Sequence, residues 1–542
     1  MSKATFMRGA VILGAAGIIV KILGAFFRIP LGNWIAADGM AYYQTVYPIY
    51  NLLLTVATAG IPVAISRMVS ERVSCENYWG ANRVFKVSLY VMIALGVVLF
   101  SVTFLLADSI VGLLAKEGMD DAVYALRAIA PSLLFVPIMA SFRGYFQGMQ
   151  NMRPTAISQI FEQFFRVVIG LILARALLSS GKAYAAAGAT FGATAGSLTG
   201  LVTVILIYML LKSTKAHKIK MTVSRREFMG NYEHTGAIIK QIFVIAIPIT
   251  LGAAIMPVMQ SIDSALVINR LVDTGWSAQE AKSLFGQLTG YAASLVNMPQ
   301  VITQAIAISL VPAVSTAFKL RETDFLQHNI KLGMRTAMII GLPCTVGLFV
   351  LAEPIMLLLY PSQPIDAVSA ANALVVLSVG VIFLALVQTF TSVLQGVGKQ
   401  NIPAINLLIG ALVKLVLTYT LTGIPALNAK GAAIGTVAAY IIATVLNLIA
   451  VKKYTGTKFD IGITVIRPLI SAVAMGALAY VVYLVLSMFL GNSISTLFAV
   501  AVAGAAYVVL LFVTGSIREE ELAEFPKGTA LVKIYRKVLR KG

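Results

Sequence analysis

Lys21 and Arg28 stand seven residues apart in the first apolar stretch of the chain. On an α-helix that spacing is about two turns, so both side chains leave one face, roughly 10 Å apart along the axis. A cation at the centre of a membrane helix costs about 2.5–3.5 kcal/mol on insertion scales, so one that is retained usually faces water, a partner or a ligand. Two on one face can hold an anionic group as large as a diphosphate. The other reading is interfacial: Arg28, beside Pro30, marks the outer boundary and Lys21 snorkels to a headgroup.

Further along, Glu162 and Arg166 are spaced i, i+4, which favours an ion pair within one helix and hence charge balance. Lys414 has no acid near it in sequence, so its partner must come from another helix or from substrate. Asp263, between Gln260 and Ser264, either neutralises a first-helix cation or takes part in ion coupling. Arg270 fits the outer interface. Asn297, Gln300 and Gln304 follow i, i+3, i+7 and form a polar stripe. A stripe of that kind suits a wet cavity for sugar hydroxyls, and hydrogen bonding between helices explains it almost as well.

The elements that must carry these residues are membrane helices. Of 542 residues, 59% are hydrophobic and 12% charged, far more apolar surface than a soluble core of this size buries. Apolar runs of roughly 20 residues, enough to cross about 30 Å of hydrocarbon, recur throughout, and no strand-length alternation competes with them. The fold class is therefore all-α, polytopic, with about fourteen transmembrane helices. Their expected ranges are 6–30, 41–66, 84–107, 122–148, 155–178 and 185–211, then 237–268, 284–317, 330–352, 366–396, 401–424 and 429–451, then 463–488 and 493–515. Residues 1–236 form a six-helix lobe and a basic linker, 237–452 a second six-helix lobe, and 453–542 two further helices and a basic tail.

The two lobes read as a duplication. Phe142, Gln147, Gly148, Pro154 and Arg166 recur as Phe390, Gln395, Gly396, Pro403 and Lys414, roughly 250 residues later. Pro62 and Pro312 match near the ends of the second and eighth helices, and Gly188 and Gly192 match Gly431 and Gly435. Corresponding helices are six apart, so both copies cross in the same sense, related by an axis along the membrane normal. Gly188, Gly192, Gly196 and Gly200 repeat every fourth residue, the pattern of a helix-packing seam. Prolines 48, 62, 131, 137, 248, 257, 299, 312 and 343 mark places where helices break or bend.

Charge orients this arrangement. The chain carries 42 Lys and Arg against 22 Asp and Glu. The cations concentrate in the linker (Lys212, Lys215, Lys218, Lys220, Arg225, Arg226) and the tail (Lys533, Arg536, Lys537, Arg540, Lys541). The positive-inside rule then places both termini in the cytoplasm of a cell-membrane protein. Because the charge sits at helix ends and not on one soluble face, nucleic acid is not the implied partner; the tail can hold anionic lipid headgroups or simply anchor the topology. Cys75 and Cys344 make no disulfide framework, and His217, His234 and His328 fall in loops. No metal-ligand cluster, cofactor motif or Walker A sequence is present, and Lys21 interrupts the stretch that a signal peptide would need.

Lys21-Ile22-Leu23-Gly24 followed by Arg28-Ile29-Pro30, the segment Ala59–Ser66, and the stretch from Asn297-Met298-Pro299 to Leu310-Val311-Pro312 resemble the multidrug/oligosaccharidyl-lipid/polysaccharide (MOP) exporter superfamily. The branch is that of Gram-positive polysaccharide flippases of the stage V sporulation and lipid II flippase type, and the resemblance covers essentially the whole chain. It implies two lobes around a cavity lined by helices 1, 2, 7 and 8, and a groove near helices 13 and 14 for a lipid tail. It also implies an undecaprenyl-diphosphate-linked saccharide as substrate, with Lys21 and Arg28 as its headgroup cations. Gram-negative lipid II flippases carry arginines in the second and eighth helices; here the matching positions are near Leu54 and Thr55, and at Ser294.

Three functions compete at this point. A lipid-linked oligosaccharide flippase, not an enzyme, fits the first-helix cations. A drug or cation antiporter of the same superfamily would call for an acid-dominated cavity, where Asp263 is the clear acid of the seventh helix. A polyprenyl-dependent membrane glycosyltransferase would need large extramembrane loops bearing carboxylates or histidines, and the expected outer loops are short.

Overall fold

The computed structural model describes residues 3–114, 118–214, 222–224 and 233–516. The linker cations from Lys215 to Arg226, His217 and the cations of the tail lie outside the described residues. All regular structure among the described residues is helical, and thirteen segments are long and apolar enough to cross a membrane. The first of these, Ile19–Ser74, takes in the latter part of the first expected helix and all of the second, which reconciles thirteen with fourteen.

The chain folds as two compact units, Met1–Gly286 and Gln287–Gly542. The first holds α1 (Lys3–Thr58), α2 (Ile61–Ser74), α3 (Tyr78–Leu105), α4 (Ala107–Leu114), α5 (Ala122–Ile129), α6 (Ser132–Gly148), α7 (Arg153–Ala176), α8 (Lys182–Ser213), α9 (Thr235–Asp273) and α10 (Ala278–Gly286). The second opens on a π-helical turn, Gln287–Ala292, followed by α11 (Ala293–Leu320), α12 (Thr323–Val350), α13 (Ala352–Leu359) and α14 (Pro364–Gly396). It ends with α15 (Asn401–Thr422), α16 (Lys430–Thr455), α17 (Arg467–Ser487) and α18 (Asn492–Val513).

Local chemistry accounts for the boundaries. Proline lacks an amide hydrogen and is tolerated in the first helical turn, where Pro62, Pro154, Pro364 and Pro468 stand. The Asn77 side chain accepts from the Gly80 amide at 2.7 Å and caps α3. Within α1 the helix is interrupted at Ala36, whose φ of 59° leaves the right-handed region. This break separates the first expected helix from the second. The second then breaks again before α2, because Pro62 cannot supply a helical amide hydrogen bond. Of the other expected bend points, Pro48, Pro137, Pro248, Pro257, Pro299, Pro312 and Pro343 lie inside helices.

The duplication recurs as packing. In the first unit α8 lies backbone-to-backbone on α7: a Cβ on Gly188 would stand 2.8 Å from the Leu173 carbonyl carbon, and one on Gly192 2.6 Å from the Gly170 Cα. In the second, α16 lies on α15 the same way, with Gly431 against Leu421 and Gly435 against Thr418 and the Lys414 carbonyl. The glycine stripe is thus a packing seam, as its period suggests. Gly148 of α6 rests on Ser66 and Val69 of α2, and Gly396 of α14 rests on Val311 and Val314 of α11. The short helices α4 and α13, each with an acid in its first turn, are a further echo.

The compact units and the sequence repeat divide the chain differently. The expected second lobe opens with α9, yet Ile238, Ile242 and Ala246 of α9 join a core with Ile65, Phe85 and Phe142 in the first unit. Gly60 lets the start of α2 sit directly on the Ala246 carbonyl. In the second unit α14 is the central helix, packed by α11, α12, α13 and α16. The two last helices lie on α12, where the Tyr507 hydroxyl donates to the Ile339 carbonyl at 2.8 Å.

Candidate functional site

Lys21 and Arg28 lie on the part of α1 that packs against α7. A Cβ on Gly24 would stand 3.4 Å from Gln163 Nε2, and the Phe27 ring edge reaches Gly170. Lys21 and Arg28 flank these contact points on α1, less than a quarter-turn around from Gly24 at 100° per residue. Lys21 is exposed on the unit and Arg28 is half-buried.

Beyond the break at Ala36, α1 returns with Tyr43, Tyr47 and Tyr50 on one face. Tyr43 and Tyr47 stack at 5.2 Å with 16° between planes, and Tyr47 and Tyr50 are tilted at 5.8 Å. Phe27 extends the row to the first half of the helix, 6.0 Å from Tyr43. Arg166 of α7 is anchored to this row: its Nη2 donates to the Tyr47 hydroxyl at 2.7 Å, and its Cζ lies 5.3 Å from that ring's centroid. Such a contact combines a charge-assisted hydrogen bond with cation–π attraction.

The expected pair within α7 is not the one that forms. Glu162 accepts instead from Arg143 of α6, at 2.9 Å, while Arg143 Nε donates to the Ser158 hydroxyl at 3.0 Å. The i, i+4 spacing permits the local pair, but Tyr47 draws Arg166 towards α1 and the Arg143 fork bridges Ser158 and Glu162 on consecutive turns. Asp263 is half-buried on α9. Its neighbour Ser264 approaches the Gln44 carbonyl at 3.4 Å, which sets Asp263 at the level of the tyrosine row.

Of the expected stripe in the second unit, Asn297 is exposed and Gln300 and Gln304 are half-buried. Gln287, which precedes the stripe, is used structurally: its amide donates to Asp366 at 3.0 Å and accepts from Ser369 at 2.6 Å. Thr303, between the two glutamines, donates to Gln388 of α14 at 2.8 Å. Lys414 is buried on α15. Lys21, Arg28, Glu162, Arg166 and Asp263 thus belong to the first unit, and Asn297, Gln300, Gln304 and Lys414 to the second.

Arg143 and the tyrosine row were not singled out by sequence reasoning, and each had a signal. Tyr43, Tyr47 and Tyr50 follow i, i+4, i+7, and Arg143 adjoins Phe142 of the duplicated pattern. Among the described residues no group of three or more His, Cys, Asp or Glu is placed to hold a metal ion.

A helical, multi-pass chain with a cationic, aromatic-lined helix face and a duplicated helix-packing scheme defines a membrane transporter. Residues 6–318 match the model of a family described as polysaccharide biosynthesis protein, and residues 288–420 match that of MatE. Stage V sporulation protein B of Bacillus subtilis is 28% identical over 97% of this chain and 98% of its own. Lipid II flippase MurJ of the same organism is 29% identical, over 93% and 94% respectively. Among solved structures, a lipid II flippase MurJ in an inward closed conformation superposes with a TM-score of 0.69 at 16% identity, covering 93% of this chain and 98% of that one. The chain belongs to the polysaccharide biosynthesis protein family, within the MOP superfamily of flippases and transporters.

Proposed function

We propose that this protein is a flippase that moves an undecaprenyl-diphosphate-linked saccharide, lipid II or a related polysaccharide precursor, from the inner to the outer leaflet of the cell membrane. One observation carries the reading: Lys21 and Arg28 share a face of α1 beside the α7 contact, where an anionic headgroup would meet two cations. The polyprenyl tail can remain in lipid, so the costly part of the passage is the diphosphate and its sugars, which need a polar, positive path. The polar stripe of Asn297, Gln300 and Gln304 would serve the sugars. Asp263, Glu162, Arg166 and Lys414 would balance or couple charge. With both termini cytoplasmic, moving about two negative charges outward across about 100 mV, inside negative, is favourable by about 4.6 kcal/mol, so the potential alone can drive export.

Full-length protein in vesicles, loaded with a labelled lipid-linked disaccharide, tests this. Translocation that Lys21→Ala with Arg28→Ala abolishes is the expected result, and unchanged translocation by that variant refutes the headgroup assignment. Complementation of cells depleted of their lipid II flippase then separates the peptidoglycan precursor from other polymers. The match of residues 288–420 to MatE, with Asp263 on α9, favours a second reading as a drug or cation antiporter. Efflux of organic cations coupled to a proton or sodium gradient, with no lipid-linked sugar movement, would select it.

A further inference from the structure

Arg166 of α7 is brought against α1 by contacts that the spacing within each helix does not reveal. Gly24 faces Gln163 and Phe27 faces Gly170, so the two helices rise side by side and Arg166 falls in height between those contacts. Lys21 lies one turn below Gly24 and Arg28 one turn above it. The Arg166 guanidinium itself reaches the Tyr47 hydroxyl, in the aromatic row that Phe27, the neighbour of Arg28, extends through Tyr43. The Arg166 guanidinium is held by a hydrogen bond to the Tyr47 hydroxyl, with Glu162 near enough to act on it electrostatically but bonded elsewhere. The nearest acid on its own helix, Glu162, is bound by Arg143 from α6, a residue that also holds Ser158.

We propose that Arg166 is a third cation of the anion-binding face and that Arg143 is a positioning residue, which holds Glu162 in its own ion pair and so keeps it from pairing directly with Arg166. This rests on the diphosphate reading above and extends it to α6 and α7. A carboxylate four residues before an arginine on one helix pairs with it when nothing stronger competes. Without Arg143, Glu162 turns to Arg166 and the site loses one unit of positive charge, although Arg166 itself is unchanged. The effect of Arg143 is then conditional on Glu162, which a purely architectural role is not.

The test is binding of farnesyl diphosphate, with farnesol as the uncharged comparison, to the full-length protein in nanodiscs. Arg166→Gln and Arg143→Gln should each weaken farnesyl diphosphate at least about tenfold, the size of one lost charge-assisted contact. Glu162→Gln should bind as tightly as wild type or more so, Arg143→Lys should retain most of the affinity, and Arg143→Gln with Glu162→Gln should recover to within about threefold of wild type. Equal loss in Arg143→Gln and in the double variant overturns the positioning role, and unchanged binding by Arg166→Gln overturns the third cation. Should Arg143→Gln not fold, weakening of binding by Glu162→Gln alone overturns the scheme. Loss of binding in Lys21→Ala with Arg28→Ala, alongside full binding in Arg166→Gln, would leave the flippase reading standing and remove only this extension. A wild type that does not prefer farnesyl diphosphate to farnesol overturns both.

Discussion

Gly192→Ala probes the seam that fixes Arg166. The new Cβ would meet the Arg166 carbonyl oxygen and stand 2.6 Å from the Gly170 Cα, against 3.4 Å or more for ordinary contact. Both obstacles are backbone, so neither can rotate away, and α8 must retreat from α7 by most of an ångström. Overpacking of this kind costs about 1–3 kcal/mol, with the unyielding neighbours placing it near the top of that range. The exchange of Gly for Ala in a helix returns about 1 kcal/mol, leaving a net loss of about 2 kcal/mol. Gly435→Ala is the matched control in the other copy: its nearest obstacle is the Thr418 hydroxyl at 2.8 Å, a side-chain atom, and the backbone atoms beyond it, the Lys414 carbonyl at 3.2 Å and the Thr418 amide nitrogen at 3.3 Å, need only a slight shift. There the helix term should nearly cancel the contact. Thermal unfolding of the purified full-length protein in detergent, followed by tryptophan fluorescence, should show a clear drop for Gly192→Ala and little change for Gly435→Ala. Equal stability of the first variant and wild type, or an equal drop in both, refutes the distinction between backbone and side-chain obstruction. Because α7 carries Arg166 at that contact, Gly192→Ala should also reduce translocation at temperatures where the protein remains folded.

Cys75, exposed between α2 and α3, should react with a membrane-impermeant maleimide in inside-out vesicles and not in right-side-out ones, while half-buried Cys344 reacts slowly in both; the opposite labelling of Cys75 would reverse the proposed orientation. Asn406 and Asn447 are buried on α15 and α16, and the Asn406 Nδ2 donates to the Asn447 Oδ1 at 2.8 Å, so Asn406→Ala should cost about 1–3 kcal/mol by leaving that buried oxygen without its donor. Replacing both with Leu should cost less than Asn406→Ala alone, as measured by the same thermal transition.

Some of this molecule is written in short windows of sequence. Each expected helix has its counterpart in the structure because the hydropathy of about 20 consecutive residues decides whether a segment crosses, and in lipid a crossing backbone must satisfy its own hydrogen bonds. The glycine period foretold the seam, and the repeated Phe142 and Phe390 patterns foretold matching contacts of Gly148 and Gly396, since small residues act through their own backbone. The cations of α1 were legible for the same reason: a charge in an apolar run stands out wherever it goes. Pairing was not. Glu162 has Arg166 four residues away and chose Arg143, because side-chain reach between helices and the competing pull of Tyr47 depend on how α1, α6 and α7 are set against one another. The break at Ala36 was equally hidden, in a residue type that ordinarily favours helix. Most of all, α9 opens the second copy in sequence yet packs into the first compact unit, held where Gly60 meets Ala246. The sequence by itself determined the class, the helices and the duplication, because those follow from local hydropathy and backbone chemistry. Only the tertiary structure decided which charges meet and which helices share a core, because those are set by contacts between residues far apart in the chain.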